Sequence, residues 1–250
     1  MSADGYLRGI ITKYSGNQTL AKAAAGDLQP VINRWGGDFL LGATFSGSIA
    51  KGTAITLGSD ADVFLSLKST TPNTLEQIYE TLFTAFSQAG HAPRRQNVSI
   101  GVTHRGCKID LVPGKRQSQY GNDHSLYRRK AGTWTKTDVS AHIRTVAASG
   151  RLDEIRLLKI WKHLHNLDFP SFYLELAAIR ALSGLRIGTL NNNLQAVFDY
   201  LSDNIVGAVF IDPANTNNRI SDDLNAFEKG LIANAARNAA NSTTWSNVVW

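Results

Sequence analysis

The chain has 250 residues, enough for one large domain or for two lobes sharing a cleft. Hydrophobic residues make up 43% and charged residues 18%, ordinary for a globular protein, and no apolar run approaches the roughly 20 residues that a membrane helix needs. The net charge of +6 and the pI near 9.5 suit an anionic partner such as nucleoside triphosphates or nucleic acid, and the single cysteine, Cys107, excludes both an intramolecular disulfide and a zinc site built from several thiolates. The opening residues MSADGYLRGIITKYSG lack a basic region followed by an apolar stretch, which is no secretory signal, so the chain reads as cytoplasmic.

Residues 3–35 carry a helical pattern in two pieces, broken near Ser15-Gly16-Asn17 and ended by Gly36-Gly37. A short apolar strand at 39–45 leads into a Gly- and Ser-bearing turn at 47–53, and a second strand spans 60–67. A helix is expected at 73–89, with Leu75, Ile78, Leu82, Phe83 and Phe86 as its apolar positions. Two extended runs follow at 96–103 and 106–112, and the polar stretch 114–137 reads as a loop or a short hairpin. Asp138 is a good N-cap, after which everything to about 205 reads as helix. A last helix is expected at 221–240, after the Asn-rich turn at 212–218. Strands therefore precede residue 115 and helices follow residue 138. That segregation predicts an α+β fold, with a catalytic lobe at 1–140 that includes the N-terminal helices and a helical lobe at 141–250.

Asp60 and Asp62 lie two apart on the second strand, so both side chains point to one face while Ala61, Val63, Leu65 and Leu67 take the other. Two neighbouring carboxylates repel, and a hard divalent cation relieves that repulsion. Asp110 stands alone in the short apolar run Cys107-Lys108-Ile109-Asp110-Leu111-Val112-Pro113. Strands pair about 4.8 Å apart, so a strand beside 60–67 brings a third carboxylate to the site. Three carboxylates can hold two metal ions roughly 3.5–4 Å apart. Upstream, Gly47 lets the backbone approach an anion, and Ser48 offers a hydroxyl and an N–H.

Phe45-Ser46-Gly47-Ser48-Ile49-Ala50-Lys51-Gly52-Thr53-Ala54, followed by Ser59-Asp60-Ala61-Asp62-Val63, resembles the signature of the polymerase-β-like nucleotidyltransferases. More closely it resembles the branch of oligoadenylate synthases, cyclic GMP-AMP synthase and the bacterial CD-NTases. The resemblance implies a nucleotidyltransferase lobe with a mixed sheet, a C-terminal helical lobe and an active site in the cleft between them. It implies that Gly47 and Ser48 hold a donor triphosphate, that Asp60, Asp62 and Asp110 bind two Mg²⁺ or Mn²⁺ ions, and that Asp110 helps activate the attacking hydroxyl.

The likeness continues into the helical half. Ile155-Arg156-Leu157-Leu158-Lys159-Ile160-Trp161 resembles the family helix whose lysine, here Lys159, contacts the triphosphate. Helical spacing alone puts Arg156, Lys159 and His163 on one face, which also describes a solvated basic face. Pro170-Ser171-Phe172-Tyr173-Leu174-Glu175 resembles a family segment that gives Ser171 a phosphate contact and Phe172 a base-stacking role; simple packing of Phe172 between helices is the alternative. Thr137-Asp138 stands where relatives often have a proline, and no cysteine-rich zinc insert is present. The missing insert argues against direct sensing of double-stranded DNA.

The resemblance predicts an enzyme that makes a cyclic or linear oligonucleotide messenger from ATP or other ribonucleoside triphosphates, of the anti-phage signalling type. Transfer of nucleotides to an RNA 3′ end, in the manner of CCA-adding or poly(A) enzymes, is the alternative, and a nucleotide sensor without catalysis is a third. The sequence leaves open the bases, the ring size, a regulatory protein partner and the oligomeric state.

Overall fold

The computed structural model describes residues 2–16, 18–58, 60–187 and 189–250. Asn17, in the expected break of the first helical stretch, and Ser59, in the aspartate motif, lie outside the described residues.

The first helical stretch forms three helices rather than two. Helix α1 (Ala3–Tyr14) starts at Ser2, whose hydroxyl accepts from the Gly5 N–H at 3.1 Å. Helices α2 (Thr19–Asp27) and α3 (Gln29–Gly36) are divided at Leu28, because Pro30 suits the first turn of a new helix but not the interior of an old one. Then come β1 (Leu40–Phe45), the five-residue helix α4 (Gly47–Lys51) and β2 (Ala61–Leu67). Helix α5 (Leu75–Gln88) opens with a reciprocal capping box between Thr74 and Gln77.

The run expected to be extended at 96–103 begins instead as a turn, closed by the Gln96 N–H on the Ser99 carbonyl at 3.0 Å. It lies between β3 (Arg94–Arg95) and β4 (Ile100–His104). Strand β5 (Cys107–Arg116) follows, and β6 (His124–Arg128) with β7 (Thr133–Thr137) makes the short hairpin in the polar stretch. The sheet order is β1-β2-β5-β4-β3, with β6 attached to β5 and β7 to β6. Only the β2–β5 pair among these is parallel, so the sheet is mixed.

The continuous helix read from 138 to 205 is broken into α6 (Val139–Ala147), α7 (Leu152–Leu164), α8 (Ser171–Ala181) and α9 (Leu190–Asn204). Gly150, Asn166 and Gly184 take positive φ at these breaks, and Pro170 precedes α8. A two-stranded ribbon, β8 (Ile211–Asp212) and β9 (Asn215–Arg219), leads to α10 (Ala226–Ala240). The last helix starts later than expected because Asn225 and Glu228 form its capping box.

The chain divides into two compact units. One comprises residues 17–51 and 59–143 and holds the seven-stranded sheet, with α2 packed on β2 and β5 and α5 packed on β4 and β5. The other comprises residues 1–16, 52–58 and 144–250 and is helical. The sequence reading put the N-terminal helices with the sheet, yet α1 packs on α7 and α9. Leu7 and Ile10 bury in one cluster with Ile55, Trp161, Tyr173 and Phe198. Burying a large aliphatic side chain is worth roughly 1.5–3 kcal/mol, which fixes the allegiance of α1. Among the described residues, no helix is long and apolar enough to cross a membrane.

Candidate active site

The site in the sheet unit grows from the turn between β1 and α4. The Ser46 N–H donates to the Asp62 carbonyl at 2.8 Å, which stitches the turn onto β2. Gly47 then takes φ +54°, and α4 starts there with Ser48 in its first turn. A Cβ on Gly47 would lie 1.8 Å from Asp62 Oδ2 and 2.5 Å from its Cγ, so glycine is the residue that fits beside this carboxylate.

Strand β2 alternates as the sequence predicts except at Phe64, which lies on the face of Asp62 and is buried. Ala61, Val63, Leu65 and Leu67 are buried, and Asp62 and Ser66 on the other face are half-buried. Asp60 sits immediately before the strand and is exposed. Asp62 and Asp110 are register partners across the parallel β2–β5 pair. That pairing is the juxtaposition expected of the second and third aspartates.

Burial pushes the Asp110 carboxyl above its ordinary range, and the charge of Asp60 adds to the rise. A hydrogen bond from Gln96 and the charges of Arg94 and Lys108 oppose it. The Gln96 amide Nε2 donates to Asp110 Oδ1 at 2.8 Å, and the Ser99 hydroxyl donates to Gln96 Oε1 at 2.7 Å. Among the described residues, no three His, Cys, Asp or Glu side chains stand close enough to cage an ion as they are. Three like charges without a counterion have no reason to converge. The residue types nonetheless fit a hard cation: carboxylate oxygens are its preferred ligands, and two of the three are in register with the Gly47 turn packed against one of them.

In the helical unit, Lys159 is not on a solvated face. It is only 4% exposed, with Nζ 3.7 Å from Glu175 Oε1 and 3.5 Å from Thr53 Oγ1. Thr53 Oγ1 in turn donates to Glu175 Oε1 at 3.2 Å. Arg156 pairs with Asp153 at 2.9 Å, and the His163 ring lies where a Cβ of Gly58 would be, 2.1 Å away. Ser171 opens α8, and Phe172 packs partly buried against the helical core.

Sequence reasoning missed Gln96, Ser99, Gly101 and Thr53. Gly101 carried a signal, since a lone glycine between Ile100 and Val102 in a strand marks a close approach. It faces Asp110 in register, and a Cβ there would come within 2.8 Å of Gln96 Nε2 and 3.2 Å of Asp110 Oδ1.

A mixed sheet whose paired strands present Asp62 and Asp110 beside a Gly-Ser turn, with a helical unit after it, is the fold of the polymerase-β-like nucleotidyltransferases. No family profile matches this chain. The sequence is 28% identical over 227 residues to a cyclic AMP-AMP-AMP synthase from Escherichia coli (strain MS 115-1), covering 81% of this chain and 70% of that one. The structure is similar to E. coli MS115-1 CdnC solved with ATP, at a TM-score of 0.77 and 23% identity over 96% of this chain and 91% of that one. It is also similar to the Bradyrhizobium diazoefficiens CD-NTase CdnG in complex with GTP, at 0.81 and 14% identity over 96% and 91%. The resemblance read from the motifs therefore holds, and within the nucleotidyltransferase fold the chain is CD-NTase-like.

Proposed function

We propose that this chain is a metal-dependent nucleotidyltransferase that joins ribonucleoside triphosphates into a cyclic or linear oligonucleotide messenger of the anti-phage signalling type. The observation that carries the reading is the register of Asp62 with Asp110 beside the Gly47 turn. Asp60, Asp62 and Asp110 are the residues that would hold two Mg²⁺ or Mn²⁺ ions, which supply Lewis-acid charge to the phosphate oxygens when bound.

The chain's own groups do the rest. The open Gly47 backbone and the Ser48 hydroxyl and N–H receive the donor triphosphate, with Lys159 and Ser171 as further contacts and Phe172 as a nucleobase contact. The acceptor's ribose oxygen forms a bond to the donor α-phosphorus, the bond from that phosphorus to its bridging oxygen breaks, and pyrophosphate leaves. The hydroxyl proton passes to the Asp110 carboxylate. Closing a ring repeats the same displacement, with the triphosphate of the linear intermediate in the donor position.

The test incubates pure protein with four labelled ribonucleoside triphosphates and Mg²⁺ or Mn²⁺, then resolves the products after phosphatase treatment. Phosphatase-resistant products of about two to four nucleotides, formed without primer, are expected; the pocket sizes typical of small-ligand sites suit a few nucleotides and not a polymer. A protein that ignores free nucleotides but lengthens a labelled tRNA would sink the messenger reading in favour of RNA 3′-end transfer.

A further inference from the structure

The third aspartate is held by a side chain for which the sequence motifs have no place. Gln96 lies in the turn between β3 and β4 and reaches Asp110 on β5 with its amide N–H at 2.8 Å. A carboxylate only accepts, so this contact fixes which end of the amide faces Asp110. The other end, Oε1, then accepts the Ser99 hydroxyl at 2.7 Å, and Ser99 itself is buried.

The turn that carries Gln96 is tied down from three sides. The Gln96 N–H bonds the Ser99 carbonyl at 3.0 Å, and the buried Tyr79 hydroxyl donates to the Gln96 carbonyl at 2.7 Å. The Arg129 N–H bonds the Asn97 carbonyl at 2.8 Å. Gly101 completes the arrangement by leaving open the space over which the amide passes. A residue braced in this way has one orientation to offer, and it passes that orientation to Asp110.

The choice of an amide has a chemical consequence. An arginine or lysine in direct contact would neutralise the carboxylate and compete with a bound cation. A neutral N–H engages one oxygen, fixes the side chain and leaves the charge and the second oxygen free for chemistry. We propose that Gln96, braced by Ser99, is a positioning residue for nucleotidyl transfer, setting the side-chain orientation of Asp110 toward the divalent cation and the acceptor hydroxyl. This rests on the reading of Asp110 as the third metal-binding carboxylate.

The experiment compares Gln96→Leu, Ser99→Ala, Asp110→Asn and the Gln96→Leu/Asp110→Asn double variant of the full chain. Mn²⁺ binding is read by electron paramagnetic resonance, kcat and KM with the nucleotide substrates, and folding by thermal unfolding. Groups that orient a metal ligand typically contribute roughly 10–100-fold to metal affinity or activity. Gln96→Leu is therefore expected to lower kcat by about tenfold or more and to weaken Mn²⁺ binding, with nucleotide KM within about twofold and the unfolding temperature near that of the parent. Ser99→Ala is expected to move the same readouts in the same direction by less, and it keeps the test decisive if Gln96→Leu does not fold. In the Asp110→Asn background, Gln96→Leu is expected to change Mn²⁺ binding no further. If Asp110→Asn is inactive while Gln96→Leu and Ser99→Ala keep parental kcat and Mn²⁺ affinity, the positioning role is wrong and the site reading stands. If Asp110→Asn itself keeps activity and Mn²⁺ affinity, the site reading fails and the role of Gln96 fails with it.

Discussion

Gly47 and Asp62 are packed so closely that a single methyl group on the first would overlap the second: a Cβ at position 47 would lie 1.8 Å from Asp62 Oδ2. The overlap falls on a backbone already at φ +54°. Gly47→Ala is therefore expected to act twice. The left-handed conformation costs a non-glycine residue roughly 1–2 kcal/mol. The displaced carboxylate costs far more in turnover, because an error of about 1 Å in a reacting group can lower rate about 10²-fold. A variant that unfolds a few degrees early yet loses at least about 10²-fold in kcat is the expected result. One that keeps its activity would detach the Gly47 turn from the site.

Replacing Asp60, Asp62 or Asp110 by Asn is expected to abolish turnover while leaving the thermal midpoint within a few degrees of the parent or slightly above it. Each change removes one member of a mutually repelling set, and sites of this kind hold strain for function. Activity assays paired with thermal unfolding in chelator separate the two effects. A residue whose Asn variant turned over at near the parental rate would leave the metal site.

The strand pair and its carboxylates were legible because period-two alternation in residues 61–67 puts Asp62 opposite a hydrophobic face, and because Asp110 interrupts an otherwise apolar run. The helical half was legible as helix but not as separate helices. Gly150, Asn166 and Gly184 break it through backbone conformation, which a long apolar periodicity hides. Helix α1 joined the helical core through Leu7 and Ile10, a tertiary choice that local pattern does not encode. The solvated basic face, the alternative that helical spacing left open for Lys159, does not form for the same reason: Glu175 and Thr53, 16 and 106 positions away in sequence, accompany the lysine into the interior. Gln96 was invisible because a glutamine in a turn carries no periodic signature.

Stability is expected to fall as pH drops from about 7.5 to about 5.5, in part through His124. This imidazole is 6% exposed; its Nε2 meets the Ser66 hydroxyl at 2.8 Å and its Nδ1 meets the Asn122 carbonyl at 2.7 Å. Burial holds its pKa below the ordinary value. The unfolded chain then binds the proton more tightly than the folded one, so the neutral ring stabilises the fold above the unfolded pKa of about 6.5 and that contribution is lost as pH falls below it. His124→Gln is expected to flatten the slope of unfolding temperature against pH over this window. An unchanged slope would assign the dependence to other groups.

The Lys159 network makes two effects separable. If Lys159 contacts the triphosphate, Lys159→Ala and Ser48→Ala should each raise nucleotide KM by about tenfold or more, since a hydrogen bond to a charged group contributes about 1.5–3 kcal/mol. Lys159→Ala also removes a cation 3.7 Å from the Glu175 carboxylate, which is 1% exposed. Breaking a buried ion pair from one side costs about 3–5 kcal/mol, so this variant is expected to unfold at a distinctly lower temperature than the parent. Adding Glu175→Gln removes the carboxylate charge that Lys159 faced while keeping an acceptor for Thr53, and is expected to recover part of the lost stability. The recovery should not extend to KM, because no glutamine restores a cation for the phosphates. A double variant that regains both stability and parental KM would show that Lys159 serves the helical core and not the nucleotide, and a single variant with unchanged KM would say the same.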